Sequence, residues 1–506
     1  MPKDDASACV LLTPDEMGAA DRRTIERGVP GIVLMERAAG AVADALLSRF
    51  PQARRVALLA GPGNNGGDAW AAARLLQERG RAVTVFALAS RESLTGDAAI
   101  AAGGFHGETA PLDAFEPADF DVVVDGLFGA GLSRAVEGAA AAAIEMVNAS
   151  ATPVVAIDLP SGLAGASGQA LGPAVRADLT VTFFRRKPGH LLEPGRSLCG
   201  ETVVADIGIS PSVLGEIAPR AFANEPALWR HRLSFPTAAG HKYDRGHAVV
   251  FSGPASKTGA ARLAAVAALR AGAGLVTVFC PGAALLINAA QLTAVMLRRC
   301  EDAEELAGHL EDARFNAFVL GPGFGAGEGA RRYAGAILSA DRRLVLDADG
   351  ITAFQDEPET LFEAAQKASA RASGEPALVL TPHAGEFKRL FPDLSGDEAL
   401  SKLHRARKAA ERSGAVVVLK GRDTVIAAPD GRAAINATGT PWLATAGTGD
   451  VLTGIVAAQL AQGSPSFEAA AAAAWMHGRA AELFGPGLIS EDLAAMLPRV
   501  FAELQG

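Results

Sequence analysis

The amino-acid sequence predicts an α/β protein of two domains, the first of them a three-layer α/β/α domain. At 506 residues the chain is too long for one ordinary core, and two or three are expected. Short β-branched runs alternate with Ala-rich stretches in both halves, and this alternation predicts right-handed βαβ units around parallel sheets. Hydrophobic residues make up 49% of the chain and aromatics only 6%, a profile typical of α/β layers.

The predicted strands fall into two series with a gap between them. The first series covers residues 54–60, 82–88, 121–129, 152–162 and 177–184. The alternation lapses between about Pro211 and Pro236, so we predict domains over residues 1–220 and 221–506. The second series covers 245–253, 274–280, 316–323, 342–350, 377–383 and 415–421, followed by a hairpin over 423–437 and two closing helices, one from near Asp450 and one over about 467–484.

Charge and cysteine usage exclude several classes of protein. The net charge is −9, and the longest basic cluster is Arg185, Arg186 and Lys187, so no nucleic-acid partner is expected. Four cysteines without a C-x-x-C pair indicate a reducing compartment. The N-terminus lacks the apolar core of a signal peptide. The uncharged stretch 271–297 contains Pro281-Gly282, which favours a strand, a turn and a short helix over a membrane span. We therefore expect a soluble, cytoplasmic protein, and its Ala-rich helices leave a homo-oligomer open.

The segment GPGNNGGD, residues 61–68, lies where a predicted strand passes into a helix that Asp68 could cap. Glycines allow a tight turn there, and the free amides of a helix start attract phosphate. A sharp structural turn is the alternative interpretation. Two adjacent asparagines favour a binding site, because packing alone does not require paired carboxamides.

Two further loops follow strands of the first half, DGLFGAGLSRA at 125–135 and IDLPSG at 157–162. Ligands of open parallel sheets bind at the carboxyl ends of the strands. We therefore expect Asn65, Asp125, Asp158 and Ser161 to converge, with oxygen atoms suited to an alkali or alkaline-earth cation. For each residue alone, helix capping or turn formation is the competing explanation.

These three loops, in this order and spacing, resemble the NAD(P)H-hydrate epimerase domain over about residues 11–215, which implies a Rossmann-like fold. That family interconverts the C6 epimers of hydrated NADH and NADPH (NADHX and NADPHX). The resemblance implies that Asn65, Asp125 and Ser161 bind potassium and that Asp158 binds substrate; we also choose Asp158 for proton transfer at the C6 hydroxyl. It implies substrate contacts at Asn64, Asn65, Gly66, Gly67, Asp68, Gly129, Ala130, Gly131, Leu132, Ser133, Arg134 and Ala135. Ala69 departs from the pattern, where the family has a further glycine, and its methyl is expected to narrow the loop without abolishing binding.

In the second half, TAGTGDVLTG (445–454) is the strongest signal. Amides of residues 446–449 can form an anion pocket at a helix start, with Asp450 beside it as an ionised carboxylate base. The alternative makes Asp450 only a helix cap. LGPGFG (320–325), LDADG (346–350), TPHAGEF (381–387) and VLKGRDT (418–424) also follow strands. The two acids of LDADG suit a magnesium-bound phosphate or a helix start. As an isolated residue, His383 is best explained as a turn histidine. Lys420 could pair with nucleotide phosphates or be a solvated cation.

This half resembles the ribokinase-like ADP/ATP-dependent NAD(P)H-hydrate dehydratases over about residues 230–500. The resemblance implies Mg²⁺ and ADP as co-substrate, with Asp450 as the base. It implies substrate contacts at Ala260, Gly323, His383 and Asp450, and nucleotide contacts at Lys420, Gly421, Arg422, Asp423, Thr424 and Gly449.

Two other functions remain open at the level of the sequence. A ribokinase-like small-molecule kinase, fused to a non-catalytic nucleotide-binding module, would carry the same acid and anion pocket. Alternatively, the first half would be an inert binding or scaffolding module. The three loops of the first half favour the repair enzyme over both.

Overall fold

A computed structural model describes residues 6–236 and 240–505 of the protein. The chain divides into two compact units, Val10–Ala221 and a second that starts at Phe222 and includes residues 6–9. Each unit is built on a largely parallel sheet, so the predicted α/β class is confirmed. Within residues 6–236 and 240–505, no helix is long and apolar enough to cross a bilayer.

The strands of the N-terminal unit are β1 (Val10–Leu11), β2 (Arg55–Ala60), β3 (Ala82–Ala87), β4 (Glu108–Pro111), β5 (Val122–Gly126), β6 (Val154–Ile157), β7 (Leu179–Phe183) and β8 (Glu201–Ala205). Its helices are α1 (Pro14–Glu26), α2 (Gly31–Arg49), α3 (Asn64–Glu78), α4 (Gly96–Gly104), α5 (Gly138–Ala149), α6 (Gly195–Leu198) and α7 (Val213–Ile217).

The seven-stranded sheet of this unit has the order β4-β3-β2-β5-β6-β7-β8. All of its pairings are parallel, from Arg55 against Ala82 to Phe183 against Ala205. The central strands β5, β6 and β7 are buried throughout, as expected for a sheet covered on both faces. Because β2, β5 and β6 are neighbours, the three glycine- and acid-bearing loops leave the sheet side by side.

The C-terminal unit contains β9 (Ala221–Ala223), β10 (His247–Phe251), β11 (Leu275–Cys280), β12 (Met296–Arg299), β13 (Ala317–Leu320), β14 (Arg343–Leu346), β15 (Leu378–Leu380), β16 (Val416–Leu419), β17 (Val425–Ala427) and β18 (Ala433–Ile435). Its helices are α8 (Pro226–Trp229), α9 (Gly259–Arg270), α10 (Gly282–Ala289), α11 (Ala303–Leu310), α12 (Glu328–Ser339), α13 (Asp349–Thr352), α14 (Pro358–Arg371), α15 (Ala384–Leu390), α16 (Pro392–Gly396), α17 (Lys402–Ser413), α18 (Thr448–Ala461), α19 (Ser466–Phe484) and α20 (Ser490–Gln505).

The sheet of this unit runs β9-β18-β17-β16-β15-β14-β13-β10-β11-β12. Strands β10 to β16 are parallel, and the predicted hairpin is confirmed by the antiparallel pairing of Val425 with Ile435 in β17 and β18. Helix α18 is buried along nearly its whole length, so it forms part of the core. Helix α18 packs against β13 and β14, and in its first turn a Cβ placed on Gly449 would lie 3.7 Å from Oδ2 of Asp347, which directly follows β14.

Two sequence-based expectations about elements were wrong, and a third was confirmed. The chain closes with three helices rather than two, because α20 continues through Pro498. Asp68 does not cap α3, since the helix begins at Asn64 after Gly63 and places Asp68 in its second turn. The uncharged stretch at 271–297 does form a strand and a short helix, as predicted.

Candidate active sites

The loop after β2 turns sharply because its glycines allow backbone to touch backbone. A Cβ placed on Gly66 would lie 1.9 Å from the carbonyl oxygen of Gly61, and one on Gly61 would lie 1.8 Å from that of Leu127. Asn64 and Asn65 open α3, so their amides belong to the free amides of a helix start. The geometry is that of an anion-binding turn at the carboxyl edge of a parallel sheet.

Asp125 and Ser161 meet directly at the ends of β5 and β6. The hydroxyl of Ser161 donates to Oδ1 of Asp125 at 2.6 Å, and its amide donates to Oδ2 at 2.7 Å. Both side chains are fully buried. Burial raises the pKa of Asp125 to about 6, against the hydrogen bonds from Ser161 and Leu127, which lower it.

Asn65 reaches the same region from α3. A Cβ placed on Gly129 would lie 3.1 Å from Oδ1 of Asn65, and the amide of the preceding Phe128 donates to Oγ of Ser161 at 2.8 Å. Nδ2 of Asn65 is buried, with no hydrogen-bond partner among residues 6–236 and 240–505. The expected convergence of Asn65, Asp125 and Ser161 on one loop is therefore observed.

Asp158 joins them from the other side of that loop, because the amide of Ala130 donates to its Oδ2 at 3.2 Å. Its φ of +63° lies in the left-handed region, which is unfavourable for a residue with a side chain and is found at functional sites. The ammonium of Lys187 contacts Oδ1 of the same carboxylate. Burial raises the pKa of Asp158, but the charge and hydrogen bond of Lys187 outweigh it and hold the pKa below its ordinary value.

Asn65, Asp158 and Lys187 line a cavity of about 580 Å³ in the N-terminal unit, whereas Asp125 and Ser161 are not among its lining residues. Asp21 of α1 and Asp68 of α3 lie in its wall with Asp158 and Lys187. Burial raises the pKa of Asp21 to about 6. Burial, with the charges of Asp158 and Asp21, raises that of Asp68 well above its usual range. The wall also contains Asn64, Asn65 and the loop residues Gly129, Ala130, Gly131, Leu132, Ser133 and Arg134, whereas Gly66, Gly67 and Ala135 are not among the lining residues.

The methyl of Ala69 faces the sheet rather than the cavity. Ala69 is fully buried, and a Cβ placed on Gly126 of β5 would lie 2.6 Å from its Cβ. The lining residues of the cavity include Asp68 but not Ala69. The expectation that this methyl narrows the binding loop was therefore wrong. The absence of a Cβ at Gly126 leaves space for the methyl against the sheet.

In the C-terminal unit, a lysine and three acids meet where β14, β15 and β16 end. Nζ of Lys420 donates to Oδ1 of Asp347 at 2.8 Å and lies 3.8 Å from Oε2 of Glu386. A Cβ placed on Gly449 would lie 3.4 Å from Nζ of Lys420 and 3.7 Å from Oδ2 of Asp347. Lys420 is thus an ion-paired side chain of the site, and its interpretation as a solvated surface cation was wrong.

Asp450 lies in the first turn of α18, beside Gly449. Gly447 caps this helix, without a side-chain hydrogen bond, so Asp450 is not its cap. Burial raises the pKa of Asp450 to about 6, with Asp347 adding to the rise, Lys420 opposing it and Glu386 adding to it. The expected ordinary pKa of Asp450 was therefore wrong, but a pKa of about 6 still leaves this carboxylate mostly ionised at neutral pH, as expected.

His383 is a turn histidine, as expected from the sequence. It caps α15: Gly385 donates to its Nδ1 at 2.9 Å, and Oε2 of Glu386 accepts from its backbone amide at 2.8 Å. More than half of its ring side chain is exposed, so one edge is open to a ligand. The main chain of Lys420 donates to the carbonyl oxygen of Pro382 at 2.9 Å, which fixes the spacing between the His383 and Lys420 loops.

The remaining predicted residues form two further groups. Ala260 and Gly323 lie together, since a Cβ placed on Gly323 would be 3.8 Å from that of Ala260. In the loop after β16, Gly421 donates to Oγ1 of Thr424 at 3.1 Å, and Asp423 accepts from Nζ of Lys402 at 2.6 Å. Arg422 is exposed beside them.

The sequence-based site lacked Asp21, Lys187, Asp347 and Glu386, which the fold brings in. LDADG and TPHAGEF contain two of them and were noted as motifs, but Lys187 was grouped with its basic neighbours and Asp21 carried no signal. Across residues 6–236 and 240–505, no group of three or more His, Cys, Asp or Glu is arranged to hold a metal ion. A cation site here would depend on other ligands, such as amide, hydroxyl and phosphate oxygens.

Comparison with known proteins assigns a family to each half. A family model described as NAD(P)H-hydrate dehydratase matches residues 248–498, and one described as YjeF-related protein N-terminus matches residues 31–189. The bifunctional NAD(P)H-hydrate repair enzyme Nnr of Moorella thermoacetica is 36% identical over 532 residues, covering 98% of this chain and 97% of its own. That of Pyrobaculum aerophilum is 38% identical over 515 residues, covering 97% of each.

Among solved structures, the ADP/ATP-dependent NAD(P)H-hydrate dehydratase of Bacillus subtilis, co-crystallised with ATP and Mg²⁺, is 28% identical. The match covers 56% of this chain and 98% of the Bacillus chain, with a TM-score of 0.46.

Proposed function

Since this chain belongs to the family of bifunctional NAD(P)H-hydrate repair enzymes, we propose that its two units repair hydrated NADH and NADPH in succession. The N-terminal unit interconverts the R and S epimers at C6. The C-terminal unit dehydrates the S epimer to NAD(P)H at the expense of ADP, giving AMP and phosphate. The observation that carries the proposal is a partly buried acid near a lysine at the carboxyl edge of each sheet: Asp158 in contact with Lys187, and Asp450 beside the ion pair of Lys420 with Asp347.

Epimerisation needs a base at the C6 hydroxyl, because C6 bears both oxygen and the ring nitrogen N1. Ionised Asp158 accepts the hydroxyl proton, the O–H electron pair forms a carbonyl at C6, and the C6–N1 bond breaks with its pair on N1. The proton then passes from Asp158 to N1. Rotation about C5–C6 and the same steps in reverse close the ring on the other face. The low pKa of Asp158 supports its role as the initial acceptor.

Potassium is the cation we propose for the N-terminal unit, held by Asn65, Asp125 and Ser161. These residues supply oxygen ligands of the kind that alkali cations accept. Oδ1 of Asn65 is the atom that would face the cation, while its buried Nδ2, which no residue within 6–236 and 240–505 satisfies, would donate to an acceptor oxygen of a ligand. When bound, such a cation would add positive charge beside the loops proposed to hold the substrate: Asn64 to Asp68 and Gly129 to Ala135.

Dehydration needs the poor hydroxyl leaving group converted to a good one. Asp450 takes the C6 hydroxyl proton while the oxygen attacks the terminal phosphoryl group of ADP, and AMP leaves. Phosphate then departs with the electrons of the C6–O bond, and loss of a C5 proton forms the C5=C6 double bond. The amides at the start of α18 would stabilise the transferring group, as reactions of this class require.

We propose that nucleotide lies over the loop Lys420, Gly421, Arg422, Asp423 and Thr424 and against Gly449, with substrate at Ala260, Gly323, His383 and Asp450. The contact of Gly449 with Lys420 supports this, since a backbone without a Cβ leaves room for a phosphate beside an ammonium. Mg²⁺ would enter with the nucleotide, and its phosphates would supply most of the ligands, with Asp347 as the nearest carboxylate.

The proposal is tested by incubating the protein with hydrated NADH and following the return of NADH absorbance. Parallel reactions contain ADP, ATP or no nucleotide, each with Mg²⁺. Recovery that requires nucleotide supports the proposal, and the faster of the two nucleotides identifies the co-substrate. Phosphorylated hydrated NADH accumulating without NADH would indicate a kinase instead.

A further inference from the structure

Lys187 is a buried lysine in the wall of a cavity that four acids also line: Asp21, Asp68, Asp97 and Asp158. Only 2% of its side chain is exposed. Its ammonium contacts Oδ1 of Asp158 and donates to Oγ1 of Thr182 at 3.0 Å. A buried ammonium is unfavourable unless a partner compensates its charge. The resemblance gave Lys187 no role, and the proposed reaction has not used it.

The hydroxyl of Thr182 contacts both Asp158 and Lys187. Its hydroxyl lies 3.0 Å from Oδ1 of Asp158 as well as 3.0 Å from Nζ of Lys187. The other carboxylate oxygen, Oδ2, accepts from the amide of Ala130 at 3.2 Å. Each oxygen of Asp158 therefore has a fixed donor, and the carboxylate cannot rotate without breaking these bonds.

His190 ties the backbones of the two residues together. Its Nε2 lies 2.8 Å from the carbonyl oxygen of Asp158, and its Nδ1 accepts from the amide of Lys187 at 2.9 Å. One ring nitrogen donates and the other accepts, which is the pattern of a neutral imidazole. Burial lowers the pKa of His190 to about 4, and so the ring adds no charge above that pH.

Lys187 is the cation in contact with the carboxylate of Asp158. Asp21 and Asp68 face it across the cavity, and both hold protons more tightly than ordinary acids because they are buried. Lys187 contacts Asp158 and neither of these acids within hydrogen-bond range. The other titratable groups that interact electrostatically with this carboxylate are Asp21 of α1, Asp68 of α3, His190, and Cys199 after α6, while Arg22 acts on Asp21.

We propose that Lys187 is the positioning residue of the epimerase site: its ammonium keeps the carboxylate of Asp158 ionised and aimed into the cavity. The inference rests on the proposed epimerase function. It also explains how a buried acid serves as a base. Once Asp158 has taken the hydroxyl proton, the charge of Lys187 is no longer compensated and lies close to the electron-rich substrate, where it stabilises the opened ring.

The test is the pH dependence of epimerisation, measured as exchange between R and S epimers without nucleotide. In Lys187→Met, the largest influence that opposes burial is removed while the hydrogen bond from Ala130 remains, so the pKa of Asp158 rises. Because the base must be ionised, the acid limb of kcat/KM should move to higher pH by about two units. Activity should recover as pH increases. Lys187→Arg keeps the positive charge, so its limb should stay within about one unit of the wild type.

Arg186→Met is the matched control, because it removes a neighbouring cation that does not line the cavity. The acid limb of kcat/KM for Arg186→Met should lie at the same pH as in the wild type. Dehydration of the S epimer by the same preparations reports that the chain is folded. If Lys187→Met lowers activity equally at every pH, or if Lys187→Arg moves the limb as far as Lys187→Met, the inference is overturned. Absence of epimerisation in the wild type would instead refute the proposed function.

Discussion

Nζ of Lys420 lies 2.8 Å from Oδ1 of Asp347, across the ends of two strands that have a third strand between them. The pair influences the proposed base Asp450: burial is the main cause of its raised pKa, Asp347 adds to the rise, and Lys420 opposes it. In the N-terminal unit, Lys187 contacts the proposed base Asp158 directly and holds its pKa below the ordinary value. The two proposed bases therefore have pKa values shifted in opposite directions.

Dehydration should depend on pH through Asp450. The base must be ionised, and burial raises its pKa to about 6. We therefore expect kcat for dehydration to fall as pH drops through about 6 and to level off above pH 7. Single-turnover rates with saturating ADP between pH 5 and 8 measure this.

The variant Glu386→Gln removes a charge that raises the pKa of Asp450, so the midpoint should move to lower pH. Glu363→Gln is the control, because Glu363 is an exposed residue of α14 paired with Lys367. A midpoint that shifts upward in Glu386→Gln, or equally in both variants, would contradict the assignment of Asp450 as the titrating base.

Gly449 should be required for the nucleotide. A Cβ there would lie 3.4 Å from Nζ of Lys420 and 3.7 Å from Oδ2 of Asp347, in the space proposed for a phosphate. Gly449→Ala should raise KM for ADP about tenfold, a loss of about 1.4 kcal/mol of binding, while epimerisation stays unchanged. Gly329→Ala, within α12 and without any atom within 4 Å of its added Cβ, is the control. An unchanged KM in Gly449→Ala would argue against nucleotide at this position.

The loop after β2 offers a matched pair of glycines. A Cβ at Gly66 would lie 1.9 Å from backbone oxygen, whereas one at Gly63 would have no atom within 4 Å. Gly66→Ala should destabilise the protein by about 1–3 kcal/mol and raise KM for epimerisation, since the loop must open. Gly63→Ala should change either quantity little. Urea unfolding and steady-state epimerisation measure the two effects, and equal behaviour of the pair would refute the close approach of backbone to backbone.

Epimerisation should depend on potassium through Asp125. Asp125→Asn removes the charge from the proposed ligand set while keeping its shape, and should raise the potassium concentration for half-maximal activity at least about tenfold. Asp178→Asn is the control: Asp178 accepts from the amide of Val154 at 2.8 Å at the start of β6, the opposite end of the strand from Ser161. Rates are followed against potassium at constant ionic strength. Equal potassium dependence in wild type and Asp125→Asn would exclude this site.

The sequence predicted the strands and their loops because apolar runs followed by glycine and an acid are local signals. It did not predict Lys187 or Asp21 as site residues, because their roles arise from contacts with Asp158 that only the folded sheet creates. Lys187, in the run RRK, looked like its solvated neighbours. The sequence also could not predict the raised pKa of Asp450, because burial and the charge of Asp347 cause the increase and both depend on the fold. Asp68 was misplaced as a cap because α3 begins four residues earlier, after Gly63.

The most direct test of the account separates the two activities with two variants of the full chain. An equal mixture of R and S hydrated NADH is incubated with ADP and Mg²⁺, and both NADH and the remaining epimers are quantified. Asp450→Asn should form no NADH yet still equilibrate the epimers. Asp158→Ala should convert the S half rapidly and leave the R half to its slow spontaneous exchange. Loss of both activities in either variant would contradict the assignment of one reaction to each unit.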